Sequence, residues 1–147
     1  MTESPSQRDY ELLHEFRHAI RKFLAFSEAA ARAAGVDPQQ HQLLLTLRAR
    51  SRGHGVSVGE VADRLQIKHN SAVELIDRAE RRGLVNRSVS EVDRRQVLVD
   101  VTEEGARVLS ELSAAHLVEI RSVAPQLVEV LGNLTSVADA NRSVPAD

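Results

Sequence analysis

The sequence predicts a mostly α-helical chain with one small β-hairpin, an α+β fold, and three observations carry that prediction. Apolar residues recur every three or four positions over long stretches at both ends of the chain. Two short periodic segments in the middle are each opened by a capping signature. Two valine-rich stretches that alternate with polar residues bracket the hexapeptide EVDRRQ at 91–96. At 147 residues the chain has the length of one domain. Its aromatic residues are Tyr10, Phe16, Phe23 and Phe26, so Leu, Val, Ile and Ala must build the core.

The first helix is expected from Gln7 to Ala34, where Tyr10, Leu13, Arg17, Ile20 and Leu24 step by three or four and Leu12, Phe16, Phe23 and Phe26 widen the apolar face. Gly35 stops it. Asp37-Pro38-Gln39-Gln40 supplies a cap acceptor, a proline at the first helical position and a glutamine three after the cap, opening a second helix to about Arg50. Ser57-Val58-Gly59-Glu60 reads as another capping box, opening a short third helix with Val58, Val61, Ala62 and Leu65 inward. After the break QIK, a fourth helix runs from about His69 to Arg82 with Ala72, Leu75, Ile76 and Ala79 buried. The hairpin pairs Leu84–Ser90 with Gln96–Val101. Thr102 caps a long helix to Ala124, with Glu103 and Glu104 favourably placed at its positive end. Pro125 is expected to break or kink it before a last helix through Leu127, Val130 and Leu134, and the tail from about Asp139 is expected to be loose.

Composition excludes several classes of function. The absence of cysteine removes disulfides, thiolate metal sites and thiol redox chemistry. No apolar run approaches the ~18 residues of a membrane span, and the polar start MTESPSQRDYE is no signal peptide, which points to a cytoplasmic protein without a membrane partner. No nucleophile elbow, phosphate-binding glycine loop or His-Glu-x-x-His is present, so neither an enzyme nor a cofactor is expected. The net charge of -2 hides an asymmetry: residues 41–100 carry eleven basic against eight acidic residues, +3, and the remainder carries -5. A basic middle suits an anionic partner.

A helix-turn-helix followed directly by a hairpin is a winged helix, in which the fourth helix enters the DNA major groove and the hairpin tip reaches the neighbouring backbone or minor groove. The outward residues near the start of that helix are His69, Asn70, Ser71, Val73 and Glu74. Asn70 suits adenine, Val73 a thymine methyl, and Ser71 a phosphate or base. Lys68, Arg78, Arg81 and Arg82 suit phosphates, with Arg87, Asp93, Arg94 and Arg95 expected from the wing. Asp93 reads as a partner that aims Arg95 and leaves Arg94 freer to enter a groove. The same polar helix face, taken alone, would equally suit a solvated surface with Glu74–Arg78 as an ordinary pair four apart.

These segments resemble the MarR family of bacterial transcriptional regulators. The resemblance is carried by VSVGEVADRL (56–65), NSAVELIDRAERRGLVNRSVS (70–90) and EVDRRQVLVDVTEEG (91–105), spans roughly residues 10–135, and is most specific over 70–105. Lys68 departs from it, since many relatives cap the recognition helix with serine or threonine. The resemblance implies a homodimer built by the first and last helices, here 7–34 and 103–138, displaying two winged lobes, 37–101, to a pseudo-palindromic operator. Each lobe would carry a recognition helix at about 69–82 and a wing at 84–101. The apolar surface of the terminal helices supports the same conclusion independently, because it exceeds what one small subunit covers. Repression is the family's commoner outcome, and the family implies release from DNA by a small anionic or phenolic ligand. Polar candidates for such an effector are His14, Arg17, His18 and Arg21 on the first helix, His41 on the second and His116 on the fifth, since an arginine with histidines can hold a carboxylate. His14 and His18, four apart, also have the spacing of a metal pair, so a metal-responsive regulator is one alternative. A winged-helix dimer used for protein–protein contact is another.

Overall fold

The computed structural model describes residues 4–140, so the tail expected to be loose lies, from residue 141 onward, outside the described residues. Five helices and three strands follow in order: α1 Gln7–Ala33, α2 Pro38–Arg50, β1 Val56–Ser57, α3 Val58–Leu65, α4 His69–Arg81, β2 Val85–Val89, β3 Val97–Val101 and α5 Glu103–Ala140. No helix among the described residues is long and apolar enough to cross a membrane. The described residues divide into two compact units, one comprising residues 28–115 and the other residues 4–27 with 116–140.

In the unit 28–115, α2 begins as its sequence dictates. The Asp37 side chain accepts from Gln39 N at 2.8 Å and the Gln40 side chain accepts from Asp37 N at 3.2 Å, the reciprocal capping box. Leu43, Leu44 and Leu47 of this helix are fully buried and meet Val61 of α3, Leu75 and Ile76 of α4, and Val56, Val85 and Val99 of the sheet. Each such side chain contributes about 1.5–3 kcal/mol of transfer free energy, which fixes the lobe around aliphatic contacts alone.

The sheet has three strands in the order β1-β3-β2, all antiparallel. β1 is an addition to the expected hairpin: Val56 pairs with Val99 and Ser57 with Leu98. Two residues leave no periodicity to read, and the strand exists because Val99 offers a ladder partner beside a core that Val56 fills. The alternation of the wing valines needs one qualification. Val85 and Val99 are buried, whereas the cross-strand pair Val89 and Val97 is exposed because the hairpin extends beyond the core.

The expected break at Pro125 does not occur, and α5 is one continuous helix of 38 residues. Proline removes only one N–H bond, to the carbonyl four residues earlier. Apolar residues at three- and four-residue steps on both sides, Ile120, Val123, Leu127, Val130 and Leu134, keep a single face for the helix to bury. At its other end Thr102 Oγ1 accepts from Gly105 N at 3.0 Å and donates to the Gly83 carbonyl at 2.6 Å, while Thr102 N donates to the Leu84 carbonyl. Gly105 permits this junction, since a Cβ there would lie 2.1 Å from the Leu84 carbonyl oxygen.

In the other unit, Leu12 of α1 and Val130 of α5 are buried, and His116 Nε2 lies 2.7 Å from Ser27 Oγ with Phe23 and Phe26 edge-on to its ring. Tyr10, Leu13, Leu24, Leu117, Val118 and Val128 are exposed.

Candidate nucleic-acid interface

Ser57 caps α3 by accepting from Glu60 N at 3.2 Å. The reciprocal half of the expected capping box is absent, because the Glu60 carboxylate is taken by Arg50 Nε at 2.8 Å. A charged guanidinium is a stronger partner than a neutral amide. The turn into α4 manages without glycine: Gln66 itself adopts the left-handed conformation at φ 53°. Lys68 then stands at the N-cap with no side-chain bond, so the first N–H groups of α4 receive no side-chain acceptor from it.

From that start, His69, Asn70, Ser71 and Glu74 are exposed and Val73 is half-buried, on the opposite side from Ala72, Leu75, Ile76 and Ala79. Arg78 reaches Gln39 of α2 at 3.4 Å rather than Glu74. Arg82 is committed elsewhere, donating to the Gly35 carbonyl and to Gln40 Oε1 at 3.3 Å, and Arg81 folds back on the Asp77 carbonyl at 3.4 Å. Sequence reasoning placed Arg82 with the phosphate-binding residues, and nothing in local charge count reveals a partner 47 positions away.

The wing tip is organised by a residue that the sequence reading passed over. Ser90 is buried, and its Oγ accepts from Val92 N at 3.3 Å and Asp93 N at 3.2 Å, while Ser90 N donates to the Gln96 carbonyl at 2.9 Å. A serine two or three residues before a charged turn is the signal that would have found it. Asp93 holds Arg95 as expected, accepting from its backbone N at 3.1 Å and from Nε at 3.4 Å. The Arg95 side chain is nonetheless 95% exposed, so the pair orients it weakly rather than fixing it. Arg94 is exposed, and Val92 is 99% exposed at the tip. Between wing and helices lies a shallow depression of about 310 Å³ lined by Ser57, Val58, Gly59, His69, Arg95, Gln96 and Val97. It brings an imidazole, a guanidinium and the start of α3 together, a combination suited to an anion.

Arg87 is tied back into the protein. Its guanidinium donates to the Asp77 carboxylate and, at 3.0 Å, to Glu80 Oε1, both on α4. The hydrogen bond to Asp77 raises the Arg87 pKa above its ordinary value, with burial opposing and the charges of both acids adding to the rise.

The effector candidates occupy different surroundings. The His14 and His18 rings stack with centroids 6.4 Å apart and line a groove of about 290 Å³ with Glu15, Ala19, Lys22, Val123 and Gln126. Arg17 and Arg21 are exposed on the same helix, His116 is buried against Ser27, and His41 is buried within the unit 28–115. Among the described residues no three His, Asp or Glu side chains converge in a metal-binding cluster.

Comparison with known proteins bears on this geometry. Residues 34–96 match the MarR family. Over 85 residues, 58% of this chain and 51% of the relative, the sequence is 27% identical to the HTH-type transcriptional regulator PecS of Dickeya dadantii (strain 3937). The chain spans about half the length of the curated relatives it matches. The fold is similar to that of Staphylococcus aureus MepR in its complex with DNA, at a TM-score of 0.68 and 19% identity, covering 85% of this chain and 94% of that one. It is similar also to CouR of Rhodococcus jostii RHA1 bound to p-coumaroyl-CoA, at 0.68 and 22%, covering 89% and 90%. These likenesses establish a winged helix-turn-helix fold.

Proposed function

Residues 34–96 match the MarR family, and from that premise we propose that this chain is a homodimeric transcriptional repressor of that family that binds a pseudo-palindromic operator. One observation carries the reading: His69 at the exposed start of α4 and Arg95 of the wing line one depression, and the exposed Arg94 belongs to the same lobe. In this reading Asn70, Ser71 and Val73 meet base edges, and Lys68, His69 and Arg95 hold a phosphate beside the depression. Arg94 enters the adjacent minor groove. Glu74 discriminates by accepting from a cytosine amino group or by rejecting neighbouring phosphates. The terminal helices supply the dimer contact, supported by the exposed Leu13, Leu24, Leu117 and Val128, and set two recognition helices about 34 Å apart.

Release by a small anionic or aromatic ligand is the second part of the proposal. It is supported by the row of nitrogen-bearing side chains His14, His18 and Lys22 that lines one groove, and by a structural neighbour solved with an acyl-CoA. Selection of bound fragments from genomic DNA, followed by titration across salt, tests the reading. An operator-bound dimer contacting about ten phosphates should lose affinity steeply as salt rises. A protein–protein module would select no fragment, and its apolar contact would show little salt dependence. Adding aromatic acids to the preformed complex then tests release.

A further inference from the structure

The recognition helix carries a charge problem that its neighbour solves. Within α4, Glu74, Asp77 and Glu80 outnumber Arg78 and Arg81, so the helix is formally -1 with its histidine neutral. A helix meant to approach a polyanion is poorly served by that balance. Arg87 is the single basic residue in either strand of the wing, and its side chain is only 28% exposed. It meets Asp77 and Glu80 together, and Glu80 also accepts from the Arg87 backbone N at 3.2 Å, so strand and side chain are gripped by the same carboxylate. A forked guanidinium between two acids is the arrangement in which arginine orders a structure rather than searches for a ligand.

We propose that Arg87 is a positioning residue: it fixes the wing to the recognition helix and offsets one of the two negative charges of Asp77 and Glu80, and touches no phosphate itself. This rests on the DNA-binding reading of the chain and assigns Arg87 a role different from those of Arg94 and Arg95, whose exposure leaves them free to reach DNA. Neutralising the acids should therefore restore affinity at an unchanged salt slope, whereas a lost phosphate contact would leave the slope lowered.

The test is a titration of a selected operator fragment, followed by anisotropy, across a salt series. Arg87→Gln is expected to weaken binding about tenfold while leaving the salt slope unchanged, whereas Arg94→Ala lowers the slope by about one. Adding Asp77→Asn and Glu80→Gln to Arg87→Gln is expected to bring affinity back to within about threefold of the parent. A slope reduced by Arg87→Gln, or a triple variant no tighter than Arg87→Gln, overturns the proposal. Amide exchange over Val85–Val89 reads the clamp without DNA: it should quicken in Arg87→Gln at unchanged helix content, and unchanged exchange overturns the clamp. Should Arg87→Gln fail to fold, Arg87→Lys keeps the charge without the fork and is expected to loosen the same amides. A parent chain that binds no fragment overturns the regulator reading instead, and the exchange measurement still decides the clamp.

Discussion

Ser90 shows how one buried hydroxyl governs an exposed tip. It accepts from two successive amides of the turn, and the turn in turn presents Asp93, Arg94 and Arg95. Ser90→Ala should loosen the tip by about 1 kcal/mol and weaken operator binding without altering its salt slope, because no phosphate contact is lost. Arg94→Ala should act the other way, weakening binding to every sequence and reducing the slope by about one. Asn70→Ala should relax base preference by about 1–3 kcal/mol at one position per half-site, read by repeating the fragment selection with the variant. At this scale the sequence was legible for some local partners but not all, since Ser90 bonds amides only two and three residues on and was passed over. Asp93 and Arg95 are two apart and pair as read, whereas Arg82 with Gly35 and Arg87 with Asp77 are contacts made by the fold, which charge patterning does not encode.

Elements were legible wherever apolar spacing and caps agreed. The start of α2, the buried face of α4 and the Thr102 cap all follow from residues within one turn of each other. The rest depended on packing: β1 needs Val99 as a partner, and α5 continues through Pro125 because burial along one face outweighs one lost bond. Two substitutions probe elements. Gly105→Ala places a methyl group against the Leu84 carbonyl, so the junction of α5 with the wing must shift, and urea unfolding should show a loss of about 3 kcal/mol. Lys68→Ser supplies the cap that α4 lacks and should stabilise the fold by about 1 kcal/mol in the same measurement. The same change removes a cation from the proposed phosphate site, so operator affinity should fall as stability rises. A local rule is broken at Lys68 where a ligand can compensate.

Across the whole molecule, charge and apolar surface are distributed differently. Residues 41–100 carry +3 and the remainder -5, while Leu13, Leu24, Leu117 and Val128 of the terminal helices lie exposed. A polyanion suits the first segment, and a second copy of the chain suits the helices. In the proposed homodimer, Leu24→Glu should therefore yield monomer in sedimentation velocity while leaving helix content unchanged. A monomer holds one half-site only, so its affinity for a full operator should fall by the effective-concentration factor, about 100-fold or more.

The grip of Glu80 on the Arg87 backbone also bears on aggregation. β2 lies at the edge of the sheet, where outward-facing amides invite strands from other molecules. One of those amides is occupied by a carboxylate from the neighbouring helix, which leaves an incoming strand neither a donor nor a neutral surface at that position. The acid that burdens the recognition helix thus also closes one position of an otherwise open sheet edge.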